Sequence, residues 1–213
     1  MTMTTRLIEV RQHLLNKNDA LARRLRQRFA DAGVCVISLV SSPGAGKTEL
    51  LEATLRAMAP HAKVAALVGD LATDNDAARL RRAAVPVRQI VTGTVCHLDA
   101  PMVERALDGW NLQDLDFLFI ENVGNLVCPA SYDLGESLRV VLMSVTEGED
   151  KPAKYPTIFN TADVALITKI DIAAAVGFDR LRACQYINDV RPGLEVLEVS
   201  ARTNDGMSQW LGR

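Results

Sequence analysis

The 213-residue sequence has few aromatic residues, no long hydrophobic run and no long tract of basic residues. Phe, Trp and Tyr make up 5% of the chain, so its core must be built mainly from Val, Ile, Leu and Ala. The longest apolar runs, such as residues 34–40, are far shorter than the roughly twenty residues of a membrane-spanning helix. Residues 1–6 also lack the apolar segment of a secretion signal. We therefore expect a cytoplasmic protein with no membrane partner.

Positive and negative charges are nearly balanced along the chain. Lys and Arg number 24 against 26 Asp and Glu, which gives a formal net charge of −2. Binding to a nucleic-acid backbone depends on clustered Lys and Arg, and the sequence has no such stripe or tract. We therefore expect no nucleic-acid partner.

Apolar runs alternate with amphipathic segments along most of the chain. The predicted strands are residues 34–40, 63–68, 87–91, 117–121, 140–145, 164–168 and 196–199. The segments 48–58 and 178–190 are typical of helices, and an N-terminal helix is expected over residues 18–32 with Asn18 as its cap. Strands that are apolar throughout and separated by helices indicate a mostly parallel sheet with helices on both faces. The length suits a single α/β domain over residues 1–213.

A loop with two glycines joins the first predicted strand to the helix at 48–58. Its sequence, Ser41-Ser42-Pro43-Gly44-Ala45-Gly46-Lys47-Thr48, follows the phosphate-loop pattern G-x-x-x-x-G-K-[ST] with Ser in the first Gly position. In this pattern backbone N–H groups face phosphate, the Lys reaches the β and γ phosphates, and the hydroxyl coordinates Mg²⁺. The sequence therefore predicts a P-loop NTPase. The residues expected to bind nucleotide here are Ser42, Gly44, Ala45, Gly46, Lys47 and Thr48.

Carboxylates follow two other strand ends, where a P-loop protein positions its metal ion and attacking water. Glu121 ends the fourth predicted strand and can hold Mg²⁺, while the following Gly124 leaves room for a backbone contact to the γ-phosphate. After the second strand come Asp70, Asp74 and Asp76, of which one would orient water or complete the Mg²⁺ shell and the others would cap helices. We expect catalytic roles for Lys47, Asp70 and Glu121. The expected Mg²⁺ ligands are Thr48, Asp70, Asp76 and Glu121.

The segment Thr168-Lys169-Ile170-Asp171 resembles the guanine-specificity motif N-K-x-D of GTPases. An Asp at position 171 accepts hydrogen bonds from guanine N1–H and N2–H, which adenine lacks, while the Lys stem packs over the base. Thr168 replaces the usual Asn, which weakens the bonds that hold the motif rather than the base readout. Ser200 and Ala201 match the companion loop, whose backbone N–H meets guanine O6. Together these segments predict that the nucleotide is GTP or GDP.

Three potential metal ligands follow the third and fourth predicted strands. If those strands are parallel neighbours, Cys96, His97 and Cys128 can meet on one side of the sheet. Two thiolates and an imidazole suit Ni²⁺ or Zn²⁺, and a two-fold dimer could complete the coordination. The alternative is that these cysteines are ordinary packing residues, as we expect for Cys35 and Cys184. Residue type and spacing alone leave both alternatives open.

The chain resembles the family of hydrogenase nickel-incorporation GTPases, HypB. The segments that carry the resemblance are residues 41–48, 93–100, 121–129, 145–150 and 168–171, which span nearly the whole chain. The resemblance implies that Cys96, His97 and Cys128 bind Ni²⁺ or Zn²⁺ at the interface of a GTP-dependent homodimer. It further implies a slow, regulatory GTPase that delivers nickel to the large-subunit precursor of a [NiFe] hydrogenase, with a metallochaperone of the HypA type as partner.

The sequence departs from the family pattern at its N-terminus. Many members carry a cysteine motif for tight nickel binding or a histidine-rich storage stretch, and neither occurs before Asn18. The resemblance therefore implies only the metal site within the domain.

Three other functions fit part of the sequence. A urease-type nickel chaperone would have Cys-Pro-His where this chain has Cys96-His97. A small-molecule P-loop kinase would need an acceptor pocket and an Arg-rich lid. A nucleotide-gated adaptor would need no metal. For the nickel-delivering GTPase we expect Gly124 to sense the γ-phosphate, so that loss of this phosphate moves Cys128 four residues further on.

Overall fold

The computed structural model describes residues 3–70 and 75–213, and in these residues seven strands form one sheet. The strands are β1 (Cys35–Ser41), β2 (Val64–Asp70), β3 (Val87–Val91), β4 (Phe117–Glu121), β5 (Leu138–Ser144), β6 (Val164–Thr168) and β7 (Glu195–Val199). Their order across the sheet is β3-β2-β4-β1-β5-β6-β7, and every neighbouring pair is parallel. The α/β fold with a parallel sheet of seven strands is thus confirmed.

Helices cover both faces of the sheet, as the crossover connections of parallel strands require. Those in the described residues are α1 (Met3–Ala32), α2 (Lys47–Met58), α3 (Asn75–Leu80), α4 (Ala100–Ala106), α5 (Lys151–Lys154), α6 (Pro156–Thr161), α7 (Arg180–Val190) and α8 (Met207–Leu211). Successive residues of a strand face opposite sides. Phe119 of β4 therefore packs in one core cluster with Leu51 of α2. Its neighbours Leu118 and Ile120 pack in another with Leu25 of α1.

The strand bounds follow the prediction closely because fully buried strands are continuous apolar runs. Strands β3, β4 and β6 have the predicted limits, and the other four begin or end one or two residues away. Helix α2 begins one residue earlier than predicted, and α7 begins two residues later. No helix within residues 3–70 and 75–213 has the length and hydropathy that crossing a membrane requires.

The prediction that Asn18 caps the first helix is wrong. Helix α1 begins at Met3, so Asn18 lies in its interior, where its side chain is 3% exposed. The amide Nδ2 donates a hydrogen bond to the carbonyl of Asp133 at 2.9 Å. Its Oδ1 accepts from the backbone N–H of Ala100, the first residue of α4, at 2.8 Å. Asn18 thus satisfies backbone groups of two distant segments instead of starting its own helix.

Replacing Asn18 with Ala should destabilise the fold, because it leaves one buried carbonyl and one buried N–H without their partner. We expect a loss of about 1–3 kcal/mol in the free energy of unfolding measured by urea titration. The matched control is Asn16→Ala on an exposed position of the same helix, whose side chain accepts a hydrogen bond from Gln12. A loss no larger than that of the control would contradict this assignment.

Candidate nucleotide and metal sites

The phosphate loop connects β1 to α2 in the geometry that its sequence predicts. Gly44 and Gly46 have φ angles of 75° and 92°, a left-handed region in which a side chain is strained. Ser41 is the last residue of β1, an extended position that needs no glycine. Its hydroxyl accepts a hydrogen bond from Lys47 Nζ at 3.0 Å. The Ser in the first Gly position therefore holds the lysine that is predicted to bind phosphate.

Glu121 and Thr48 meet at the end of β4, on the phosphate side of the loop. Thr48 Oγ1 donates to Glu121 Oε1 at 2.7 Å, while Oε2 of the same carboxyl is buried and has no hydrogen-bond partner among the described residues. Burial raises the pKa of Glu121 to about 7, although the charge of Lys47 opposes this rise. An unpartnered buried carboxylate oxygen beside a threonine hydroxyl fits the oxygen-rich coordination that Mg²⁺ prefers.

A cavity of about 420 Å³ lies in front of the phosphate loop. The predicted residues that line it are Gly44, Gly46, Lys47, Thr48, Asp70, Asp76, Glu121 and Gly124. Asp70 is the last residue of β2 and Asp76 lies in α3, whereas Asp74 falls outside the described residues. The side chains of Ser42 and Ala45 are buried in the protein. The structure thus brings the predicted phosphate and magnesium ligands together around one space.

Two features of this cavity add to the prediction. A Cβ on Gly124 would lie 2.9 Å from Cα of Pro43, so only glycine lets this segment pack against the phosphate loop. Arg79 of α3 also lines the cavity and pairs with Glu49 and Glu52 of α2. Sequence reasoning missed Arg79 because a single Arg outside any motif carries no signal.

A second cavity, of about 460 Å³, continues from the phosphate loop towards the ends of β6 and β7. The predicted nucleotide-binding residues that line it are Gly46, Thr168, Lys169, Asp171, Ser200 and Ala201. Lys169 Nζ donates to the carbonyl of Gly44 at 2.7 Å, and Thr168 Oγ1 donates to that of Ala45 at 2.6 Å. Thr168 therefore still ties the motif to the phosphate loop in the absence of the usual Asn.

The three predicted metal ligands are brought together at the carboxyl edge of the sheet. Ligand atoms of Cys96, His97 and Cys128 all lie within 4.8 Å of one another, and the two sulfur atoms are 2.9 Å apart. A cavity of about 470 Å³ adjoins His97 and Cys128. Two thiols and one imidazole at this spacing can bind a soft or borderline divalent metal ion.

The route by which these residues meet differs from the prediction. Strands β3 and β4 are not neighbours, because β2 lies between them. The loop after β3 crosses the end of β2 and covers it with Leu98, which is fully buried. A Cβ on Gly69 of β2 would lie 2.8 Å from Cγ of Leu98, so this glycine permits the crossing. The loop thereby carries Cys96 and His97 to Cys128.

The charge states of the ligands are set by their surroundings. The hydrogen bond with the Cys128 thiol is the largest cause of the raised pKa of Cys96, and burial of the thiol raises it further. Burial lowers the pKa of His97, against the opposing charge of Asp99. The imidazole stacks on Tyr132 with ring centroids 3.9 Å apart, and its Nδ1 is buried without a hydrogen-bond partner among the described residues. A neutral imidazole with a free nitrogen is suited to bind a metal ion.

The chain is similar to known nucleotide-binding proteins over most of its length. The family described as "CobW/HypB/UreG, nucleotide-binding domain" matches residues 35–198. Hydrogenase maturation factor HypB of Azotobacter chroococcum mcd 1 is 48% identical over 207 residues, which are 97% of this chain and 68% of that protein. The protein of the same name from Escherichia coli strain K12 is 48% identical over 206 residues, 97% and 71% of the two chains. The crystal structure of HypB from Helicobacter pylori in complex with nickel has a TM-score of 0.87 and 40% identity, and 92% of each chain is covered.

The raised pKa of Glu121 predicts a pH-dependent cost to folding. In the unfolded chain the Glu121 carboxyl loses its proton at its ordinary pKa of 4.5, whereas in the folded protein it keeps the proton up to about pH 7. The stabilisation from the protonated carboxyl is therefore lost as the pH rises through that range. We expect Glu121→Gln to gain up to about 3 kcal/mol of stability over the nucleotide-free wild type between pH 5 and pH 8. Unfolding curves of both proteins across this range measure the difference. A constant difference would contradict the buried-carboxyl assignment.

The raised pKa of Cys96 predicts that nickel binding releases protons. Because the thiol must ionise to bind metal, affinity should rise with pH by at least about tenfold per unit between pH 6.5 and 8.5. The imidazole of His97 contributes little to this slope because its pKa is lowered below the range. Competition titrations against a chelator of known protonation measure the slope. A pH-independent affinity would show that nickel binds elsewhere.

Proposed function

The chain belongs to the CobW/HypB/UreG family, within it to the HypB maturation factors, and we propose on this basis that it is a GTP-hydrolysing metallochaperone for nickel. The metal it binds would be inserted into the precursor of a [NiFe] hydrogenase. The observation that carries this proposal is the meeting of Cys96, His97 and Cys128 beside the phosphate cavity. A nucleotide hydrolase without a metal cargo has no need for two thiols and an imidazole at this edge.

The proposed reaction is the slow hydrolysis of GTP to GDP and phosphate. Lys47 would neutralise charge on the β and γ phosphates, and the carboxylate of Asp70 would orient the attacking water. Thr48 and Glu121, with Asp70 and Asp76 around them, would hold Mg²⁺. The ion supplies charge stabilisation to the phosphates when bound. Asp171 would select guanine because its carboxylate accepts two N–H groups that adenine does not present.

The proposed cargo is Ni²⁺, with Zn²⁺ as a second metal that the same ligands accept. Three ligands from one chain leave the coordination of either metal incomplete. A second copy of this chain would complete it, so we propose a homodimer whose formation depends on GTP. The expected partners are a metallochaperone of the HypA type, which would exchange nickel, and the hydrogenase large-subunit precursor, which would receive it.

Two measurements on the purified protein test this function directly. Hydrolysis is measured with GTP and with ATP in the absence of any phosphate acceptor, and metal content is measured for the wild type and for Cys96→Ala. We expect hydrolysis of GTP alone and nickel binding that Cys96→Ala abolishes. No hydrolysis of either nucleotide without an acceptor, together with phosphoryl transfer from ATP once an acceptor is added, would indicate a small-molecule kinase. Equal metal content in both proteins would indicate a nucleotide-gated adaptor.

Guanine selectivity can be tested at a single carboxylate. Asp171→Asn removes one acceptor and places an N–H donor opposite the guanine donors. We expect GTP affinity to fall by about 10–100-fold, the loss of a charge-assisted hydrogen bond, with little change for ATP. Asp189→Asn, on an exposed position of α7, is the matched control and should leave both affinities unchanged. An unchanged GTP affinity in Asp171→Asn would exclude this mode of base recognition.

A further inference from the structure

The segment of residues 122–128, here the linking segment, lies between the phosphate cavity and the metal cluster. Its first residue, Asn122, directly follows Glu121 and is 2% exposed. The side-chain Oδ1 of Asn122 accepts a hydrogen bond from the backbone N–H of Leu98 at 3.0 Å. Leu98 in turn directly follows His97. The buried side chain of Asn122, which follows the proposed Mg²⁺ ligand Glu121, is thus hydrogen-bonded to Leu98, which follows the predicted metal ligand His97.

A second asparagine of the linking segment makes a parallel connection. Asn125 Nδ2 donates to the backbone carbonyl of Cys96 at 3.1 Å, and its Oδ1 accepts from the N–H of Val127 at 2.9 Å. Between the two asparagines lies Gly124, where an added Cβ would lie only 2.9 Å from Cα of Pro43 in the phosphate loop. A residue packed close to the phosphate loop thus lies between the two asparagines that bond the loop of residues 92–99.

The loop of residues 92–99 carries Cys96 and His97 and is called the metal-binding loop here. It has little freedom to move independently of these bonds. The side chain of Leu98 is fully buried against Gly69, which immediately precedes Asp70 at the end of β2. A displacement of Leu98 would open a cavity or collide with β2, and packed interiors shift between discrete arrangements rather than deform freely. A change in the linking segment is thus passed to the ligands instead of being absorbed by the loop.

We propose that Asn122 and Asn125 are positioning residues that transmit the occupancy of the γ-phosphate position to the metal ligands Cys96 and His97. The inference rests on the proposed function, since it requires that GTP and nickel bind at these two sites. Nucleotide state can change nickel affinity only through contacts that differ between the two states. The linking segment contains Cys128, and the two asparagines make the metal-binding loop move with that segment.

The test is the ratio of nickel affinities in the presence of GDP and of a non-hydrolysable GTP analogue. For the wild type we expect a ratio within the ~5–150-fold range of coupled sites. Asn122→Ala removes the acceptor for Leu98, so its ratio should fall towards one by at least about twofold, because the Asn125 bond and Cys128 itself still respond. Asn122→Asp keeps an acceptor oxygen there and should retain the wild-type ratio. A merely structural role would lower both affinities alike and leave the ratio unchanged.

A second variant covers the case in which Asn122→Ala does not fold. Asn125→Asp keeps the acceptor for Val127 but loses the donor to Cys96, so its ratio should also fall towards one. The control is Asn111→Ala, which removes an exposed side chain that bonds Asp114 and should leave the ratio unchanged. A wild-type ratio that survives both Asn122→Ala and Asn125→Asp would overturn the inference and leave the proposed function intact. A wild type with a ratio of one would overturn the inference too, and absence of nickel or GTP binding would overturn the proposed function itself.

Discussion

Parallel pairing of β1 with β4 fixes where the rest of the site can lie. The register places Leu39 opposite Glu121, and the backbone N–H of Asn122 continues the ladder by donating to Leu39 at 3.0 Å. Because parallel strands end at one edge of the sheet, the phosphate loop and the linking segment begin side by side. Thr48 is thereby placed against Glu121, and the metal cluster is only a few residues away along the same segment.

The site retains buried charges that do not favour folding. Burial lowers the pKa of Lys47 and raises that of Glu121, so each charged form is less stable here than in water. Such groups are kept where a ligand compensates for them, and a triphosphate with Mg²⁺ supplies both the negative and the positive charge. Among the described residues Nδ1 of His97 is likewise buried without a hydrogen-bond partner, and a metal ion would supply one. Under the proposed function, bound nucleotide and metal would therefore stabilise this edge of the sheet.

Signals that depend on local chemistry could be predicted from the sequence, and contacts between distant segments could not. The phosphate loop and Asp171 were found because their chemistry requires fixed residue types at fixed spacing. The resemblance to HypB, confirmed by the family match, predicted Cys96, His97 and Cys128 as metal ligands, and the fold brings them together although β3 and β4 are not neighbours. Asn18 and Asn122 were misread or missed because each bonds backbone 24 or more residues away. An asparagine in sequence indicates a cap or a turn, and its long-range partner is visible only in the fold.

In the proposed mechanism one short segment links the γ-phosphate position to the metal ligands, and linkage makes this coupling testable from the nucleotide side. Affinity of the wild-type protein for a non-hydrolysable GTP analogue and for GDP is measured without nickel and at saturating nickel. Reciprocity requires nickel to change the ratio of these two affinities by the factor by which the nucleotides change nickel affinity. Our account predicts a shift of that size, which Cys128→Ala abolishes. The same nucleotide ratio with and without bound nickel would contradict it.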